Sequence, residues 1–328
     1  MHVHALQVAE ATLESIRARL GPRVEITGGE TIGSPGTVEV LVAGRIRREH
    51  VEACPRLRAV IVPWAGLPRN VAELLRGFPQ IAVHAIHHNA AATAEMAVGL
   101  LLAAASGLVP ADGRLRRHDW SDRHDPSNRV PLEGKTALVL GYGAVGRRVA
   151  RVLRALGMHV LAVRRGGGAP APAEGDAAHE VRPVSDLAAL LPRAHAVVVA
   201  LPLTHETRGL LGVRELGLLP PGAVLVNVGR GAVVEEEALY EALRSRRLHG
   251  AGIDVWYRYP EDEAGRGPAA PATRPFWELE NVVLSPHRGG MGGAAEMEER
   301  RAAALVELLD AAARGAPIPG RIDLERGY

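Results

Sequence analysis

Residues 136–165 read TALVLGYGAVGRRVARVLRALGMHVLAVRR. A short apolar run leads into Gly141, Gly143 and Gly146, a helix-patterned stretch follows, and a second apolar run closes the unit. That order confines this part of the chain to a strand–turn–helix–strand unit with parallel strands. Val145, Val149, Val152, Leu153 and Leu156 fall on one face of the helix, while Arg147, Arg148, Arg151 and Arg154 lie largely away from it. Gly157 suits the helix end. In such a unit the first glycine permits the tight turn, the second lets a ligand approach the backbone, and the third lets helix and strand pack closely. The helix N-terminus then offers free N–H groups and partial positive charge to a pyrophosphate. A glycine-rich turn without a ligand has the same spacing, but the flanking elements favour a dinucleotide.

The alternation extends along most of the chain. Further runs rich in Val, Ile and Leu at 38–44, 57–63, 80–86, 195–201, 223–229, 251–256 and 281–287 are short and have turn-rich borders. They read as buried parallel strands with amphipathic helices between them, which makes the fold class α/β. Two segments interrupt the pattern. Residues 107–134 are polar and turn-rich and separate a first α/β unit from a second, and 260–275 is a Pro-, Gly- and Ala-rich stretch expected to be an exposed loop. A last helix is expected over about 294–313, with Leu305, Leu308 and Leu309 on one side.

Composition narrows the partners. The chain has 328 residues, a net charge of +2 and Arg in place of Lys almost throughout, Lys135 being the only lysine. No basic cluster comes with interleaved aromatics, so nucleic acid is not expected as a partner. Cys54 is the single cysteine, which favours a reducing compartment. The start of the chain lacks the basic and apolar regions of a signal peptide, and the longest apolar stretch, 96–109, is too short to span a bilayer. A cytoplasmic protein without membrane contact is expected.

Arg164 and Arg165 end the second strand of the glycine unit, where an NAD site usually carries an acid for the ribose 2′-hydroxyl. A guanidinium pairs with a 2′-phosphate instead, so NADP(H) is the expected cofactor, with NAD as the alternative. Both arginines as solvated surface charges is the competing reading.

LEGKTALVLGYGAVGRRVA, VVVALPLTHETRGLLG, GAVLVNVGRGAVVEEEAL, GAGIDVW and LSPHRGG occur in that order, with HHNAAATAEMAVGLLLAA upstream. Together they resemble the D-isomer-specific 2-hydroxyacid dehydrogenase family, strongly over about 85–290 and more weakly before 80. The resemblance implies two Rossmann-like or flavodoxin-like domains with parallel sheets and an active-site cleft between them. It places the substrate domain at 1–105 plus 289–328 and the dinucleotide domain at 106–288. It also implies a homodimer formed through the dinucleotide domain, with the 107–134 segment and Trp120 as the arm. The implied activity is hydride transfer between NADP(H) or NAD(H) and a 2-keto acid or D-2-hydroxy acid.

By the same resemblance, Arg230 holds the substrate carboxylate and carbonyl, a planar anion suited to a guanidinium. His287 is the acid/base, because reduction puts hydride on carbon while oxygen takes a proton. Trp64, Ala65, Gly66 and Asn89 fall on the substrate side; Trp64 is either a pocket wall or core. The cofactor side comprises Gly141, Gly143, Ala144, Val145, Gly146, Arg164, Arg165, Leu201, Pro202, Thr207, Val228, Gly229, Asp254 and Gly290. Asp254 either lies near the nicotinamide or orients a loop backbone. Trp256 and Tyr257 hint, with Trp64, at an aromatic wall. His84, His87 and His88 lack an accompanying carboxylate or thiol, so no metal is expected.

One position departs from the family. Most relatives carry Glu five residues after this Asp, paired with the catalytic His, whereas this chain has Tyr259 followed by Pro260. A carboxylate stabilises imidazolium; a phenol orients the ring without adding charge. Three readings remain open. His287 acts unaided or with Glu261, Asp262 or Glu263 folding back, in which case the reductive rate falls as pH rises through about 6.5. Alternatively the site serves a different small carboxylate needing little proton chemistry, or the protein is a cofactor-sensing, corepressor-like module.

Overall fold

A computed structural model describes residues 1–125, 129–166, 177–261, 267–291 and 295–325. The chain divides into two compact units, Met1–Asn89 with Gly292–Tyr328, and Ala90–Met291.

The first unit holds a five-stranded sheet of β1 (His2–Ala5), β2 (Glu25–Gly28), β3 (Val38–Val42), β4 (Ala59–Val62) and β5 (Ala82–Ala85). Its order is β2-β1-β3-β4-β5 and every pair is parallel. Side chains alternate along each strand between two cores. Leu41, Val60 and Val62 pack with Val51 of α2 (Arg48–Glu52) and Val71 and Leu75 of α3 (Arg69–Arg76). On the other face, Val3, Val40 and Ile61 pack with Leu13 and Ile16 of α1 (Glu10–Arg17) and with Leu305 and Leu309 of the C-terminal helix Ala295–Ala313. After that helix the chain returns to β5: Ile322 N donates to Val83 O at 2.7 Å and Ala85 N to Gly320 O at 3.0 Å.

The second unit opens with α4 (Ala90–Ser106) and α5 (Leu108–Leu115), then alternates through β6 (Thr136–Leu140), α6 (Ala144–Ala155), β7 (His159–Arg164), β8 (Glu180–Pro183), α7 (Leu187–Leu190), β9 (Ala196–Val199), α8 (Val213–Leu218), β10 (Ala223–Asn227), α9 (Glu236–Arg244), β11 (Leu248–Ile253) and β12 (Val282–Leu284). The order β12-β11-β10-β9-β6-β7-β8 is all parallel and reverses direction between β6 and β9. Leu138, Leu161, Val197 and Leu225 face α7 to α9, and Val139, Ala162, Val198 and Val226 face α4 and α6. Ligands of open α/β sheets sit beyond the carboxyl ends of the strands at such a reversal.

Sequence and structure differ in four places. The strands β1, β2 and β8 are additional to the runs read from sequence. The 107–134 segment contains a helix, α5. Val152, expected on the packed face of α6, is 40% exposed. Helix α4 belongs to the second unit, so the division falls after Asn89 rather than at 105. The cause is close packing on β11. A side chain at Gly252 would come within 2.6 Å of Leu100 Cβ, and one at Gly250 within 3.4 Å of Ala104 O, so the glycines let the apolar helix settle onto the strand. Among the described residues, no single helix is long and apolar enough to cross a membrane.

Candidate active site

The strands β6 and β9 end side by side and their following turns form the glycine cradle. Gly141 has φ +102°, open to glycine, and a Cβ there would lie 2.7 Å from Ala200 O. A Cβ on Gly146 would lie 1.8 Å from Gly141 O, so helix and turn can meet only without one. Gly143, at the N-terminal cap of α6, would direct a Cβ into open space. Ala144 and Val145 form the first, partly exposed turn of the helix. Tyr142 turns inward: its hydroxyl accepts from Ala178 N at 3.0 Å, and the Arg147 guanidinium covers its ring at 4.5 Å.

Arg164 is half-buried at the end of β7 and Arg165 is exposed. The Arg164 Nε atom is buried without a hydrogen-bond partner among the described residues, a donor awaiting an acceptor. After β9, Leu201 and Pro202 are partly exposed. Thr207 is used internally: its hydroxyl donates to Pro202 O at 2.6 Å and accepts from Thr204 N at 2.8 Å, fixing the loop rather than projecting from it.

Beyond β10 the chain passes through buried Val228 and Gly229 to exposed Arg230. Asn227, which the sequence reading did not single out, shapes this turn. Its Oδ1 accepts from Gly229 N at 3.1 Å, its Nδ2 donates to Arg230 O at 3.0 Å, and its own carbonyl accepts from Asp254 N at 3.0 Å. Arg230 Nη1 donates to Gly229 O at 2.7 Å.

Asp254 follows β11 and is 1% exposed. Its Oδ1 accepts from Ser285 Oγ and from Arg288 N, the latter at 2.9 Å, and its Oδ2 accepts from Gly289 N at 2.9 Å. The carboxylate is therefore occupied by the 285–289 loop, which favours the loop-orienting alternative over contact with a nicotinamide. The loop also accepts the Trp256 indole N–H at Ser285 O, 2.8 Å, and passes through partly exposed Gly290. It holds His287 at φ +54°, a left-handed conformation costing about 1–2 kcal/mol for a non-glycine residue. Burial, then the charge of Arg230, push the His287 imidazole below its ordinary pKa, against an opposing pull from Asp254.

Tyr259 stands at the site of the expected acid. Its ring centroid is 5.4 Å from that of His287 at a 51° tilt, and its hydroxyl accepts from Trp256 N at 3.0 Å. It packs against the imidazole without hydrogen-bonding to it, and burial raises its pKa, so it stays protonated near neutrality. Among the described residues no carboxylate is hydrogen-bonded to His287; Glu261 is exposed, and Asp262 and Glu263 lie outside the described residues. Trp256 and Tyr257 face the core around Phe276, with the Tyr257 hydroxyl donating to Val234 O at 3.0 Å, so neither forms the expected aromatic wall.

The remaining expected residues belong to the first unit. Trp64, Ala65 and Gly66 follow the carboxyl end of β4, and Asn89 follows β5. Trp64 packs so closely on Gly44 that any Cβ there would overlap its ring, which supports the core reading. Gly66 has φ +87°. His84 Nδ1 is bonded to Pro319 O at 2.9 Å, and burial, reinforced by Arg301, holds His88 neutral with a pKa lowered to about 4. Among the described residues no group of three or more His, Cys, Asp or Glu is placed to hold a metal ion.

The residues present fit a dinucleotide: a side-chain-free approach at Gly143, close turns at Gly141 and Gly146, and a guanidinium nitrogen at Arg164 that is unpartnered among the described residues. Comparison with known proteins agrees. Residues 98–289 match the domain described as "D-isomer specific 2-hydroxyacid dehydrogenase, NAD binding domain". The chain is 31% identical to glyoxylate/hydroxypyruvate reductase B of Pectobacterium carotovorum, over 92% of each. It is 30% identical to D-3-phosphoglycerate dehydrogenase of Mycobacterium leprae over its whole length, but spans only 60% of that protein. A solved D-isomer specific 2-hydroxyacid dehydrogenase from Xanthobacter autotrophicus Py2, in complex with NADPH and MES, superposes with a TM-score of 0.80 at 25% identity, covering 99% of each chain. The chain belongs to the D-isomer-specific 2-hydroxyacid dehydrogenase family.

Proposed function

We propose that the protein interconverts a 2-keto acid and a D-2-hydroxy acid using NADP(H) in preference to NAD(H). The observation that carries this is the placement of Arg230 and His287 in loops at the carboxyl ends of β10 and β12, the two strands that flank β11 in the sheet bearing the glycine cradle. Gly141, Gly143 and Gly146, with Ala144 and Val145, would hold the pyrophosphate, and Arg164 with Arg165 a 2′-phosphate. Leu201, Pro202, Val228, Gly229 and Gly290 would line the cofactor. The bound nicotinamide supplies or accepts the hydride at C2 of the substrate.

The chain's own groups do the rest. Arg230 pairs with the carboxylate and polarises the carbonyl, held in register by Asn227. In the reductive direction His287 gives a proton to the substrate oxygen, and in the oxidative direction it takes one. Asp254 acts on the reaction through the loop it pins. Ala65, Gly66 and Asn89 of the first unit are assigned to substrate binding. Homodimer formation through the second unit is supported by the exposed apolar side chains Leu108, Val109, Leu115 and Trp120. A single buried cysteine suits a cytoplasmic setting.

The test is NADPH consumption against glyoxylate, hydroxypyruvate, pyruvate and bulkier 2-keto acids, repeated with NADH. Turnover of at least one keto acid, faster with NADPH, is expected. Dinucleotide binding without turnover of any of them would contradict this reading and favour a sensor.

A further inference from the structure

His287 is unusual in what surrounds it. Tyr259 lies against its ring at 5.4 Å, uncharged, with the phenol oxygen engaged by Trp256 N. Asp254, the buried carboxylate whose charge acts on the imidazole, is committed to Ser285, Arg288 and Gly289. Arg230, on the turn after β10, is a cation whose charge acts on the imidazole and lowers its pKa. Among the described residues, the groups that act on the ring thus comprise one guanidinium, one phenol and one carboxylate already bonded elsewhere.

A ketone and an imine ask opposite things of such a histidine. A ketone oxygen becomes an alkoxide on hydride addition and needs a protonated imidazole to donate to it. A protonated imine brings its own proton and positive charge. Imidazolium repels it, whereas a neutral imidazole can accept its N–H and an aromatic face attracts the cation.

We propose that this site also reduces 2-imino acids, bound as zwitterions with the carboxylate on Arg230 and the protonated nitrogen facing His287 and Tyr259. The inference rests on the hydride-transfer function proposed above. C2 of the iminium gains the hydride from the reduced nicotinamide, and the C=N π pair becomes the nitrogen lone pair. The product leaves as a neutral amine that takes its last proton from water, so no protein group has to donate one. Burial and Arg230, which lower the pKa of His287, work against ketone reduction and for this step. Tyr259, 46% exposed, leaves part of its ring open to a cation.

The test uses the whole chain, the best keto acid of the panel, excess methylamine and NADPH at one fixed pH. Mass spectrometry reads the ratio of N-methylamino acid to hydroxy acid. Tyr259→Glu restores a carboxylate beside His287, and each unit by which it raises the imidazole pKa multiplies the charged-to-neutral ratio about tenfold. The expected result is N-methylamino acid formation by the wild type and a ratio at least about tenfold lower in Tyr259→Glu. Tyr259→Phe, which keeps the ring and adds no charge, separates loss of the hydroxyl from gain of the carboxylate: its ratio should stay at least about tenfold above that of Tyr259→Glu. NMR titration of His287 should show the rise in Tyr259→Glu independently of turnover. Hydroxy acid as the sole wild-type product overturns the inference and leaves the keto-acid reading standing. An unchanged ratio in a folded Tyr259→Glu whose His287 pKa has risen also overturns it. No product of either kind overturns both.

Discussion

Asp254 accepts the backbone N–H of Gly289 at 2.9 Å, two residues beyond His287. Its other oxygen takes Arg288 N and Ser285 Oγ, so one buried carboxylate fixes both sides of the histidine in a backbone conformation it does not favour. Asp254→Ala would strand these donors, at about 3 kcal/mol. Lower thermal stability is expected, with kcat falling about 100-fold and dinucleotide affinity changing little. Wild-type kcat in a folded variant would remove Asp254 from the account.

Two glycines of the cradle separate folding from binding. At Gly146 a methyl would strike Gly141 O at 1.8 Å, whereas at Gly143 it meets nothing within 4 Å. Gly146→Ala should lower the melting temperature of the free protein. Gly143→Ala should leave it unchanged and weaken NADPH binding at least about tenfold, because the methyl occupies the approach to the helix N-terminus. Calorimetry and fluorescence titration of the two variants check the contrast.

The Arg164 guanidinium has a buried Nε without a partner among the described residues. If a 2′-phosphate is its acceptor, Arg164→Ser lowers kcat/KM for NADPH by about 10- to 100-fold and leaves that for NADH within a few-fold, since a charge-assisted hydrogen bond contributes about 1.5–3 kcal/mol. An equal fall for both cofactors would assign Arg164 to structure alone.

The reductive pH profile follows from the surroundings of His287. Its folded pKa lies below 6.5, from burial first and Arg230 second, so the proton-bearing form is lost at a lower pH than for a free histidine. Keto-acid reduction should decline as pH rises through a midpoint below 6.5, and oxidation of the hydroxy acid should rise over the same window. Tyr259→Glu should move both limbs upward. A wild-type reductive limb flat to pH 8 would mean that another group supplies the proton.

Much of this could be read from the chain because parallel strands buried on both faces leave continuous apolar runs. The strands that escaped notice lack that mark. The first, His2–Ala5, alternates histidines that bond to Thr27, and Glu180–Pro183 is a polar edge strand. The glycine spacing was legible because backbone geometry demands it, whereas Arg230 was singled out through the family resemblance. Directions of side chains were not legible. Asp254 turns to the 285–289 loop, and Trp256 and Tyr257 turn into the core, choices made by partners distant in sequence, while Thr207 turns into its own loop. Asn227 carried one signal that could have found it, a polar residue at the end of an otherwise apolar strand.

The most direct test of the account is Arg230→Gln, assayed with the best keto acid alongside NADPH binding by fluorescence titration. Loss of the guanidinium should lower kcat/KM by about 1000-fold or more, the effect of removing roughly 4 kcal/mol of charge-assisted pairing in the transition state. The dissociation constant for NADPH should stay within a few-fold of wild type. A variant that keeps turnover within tenfold of wild type would contradict the assignment of Arg230, and with it the proposed chemistry.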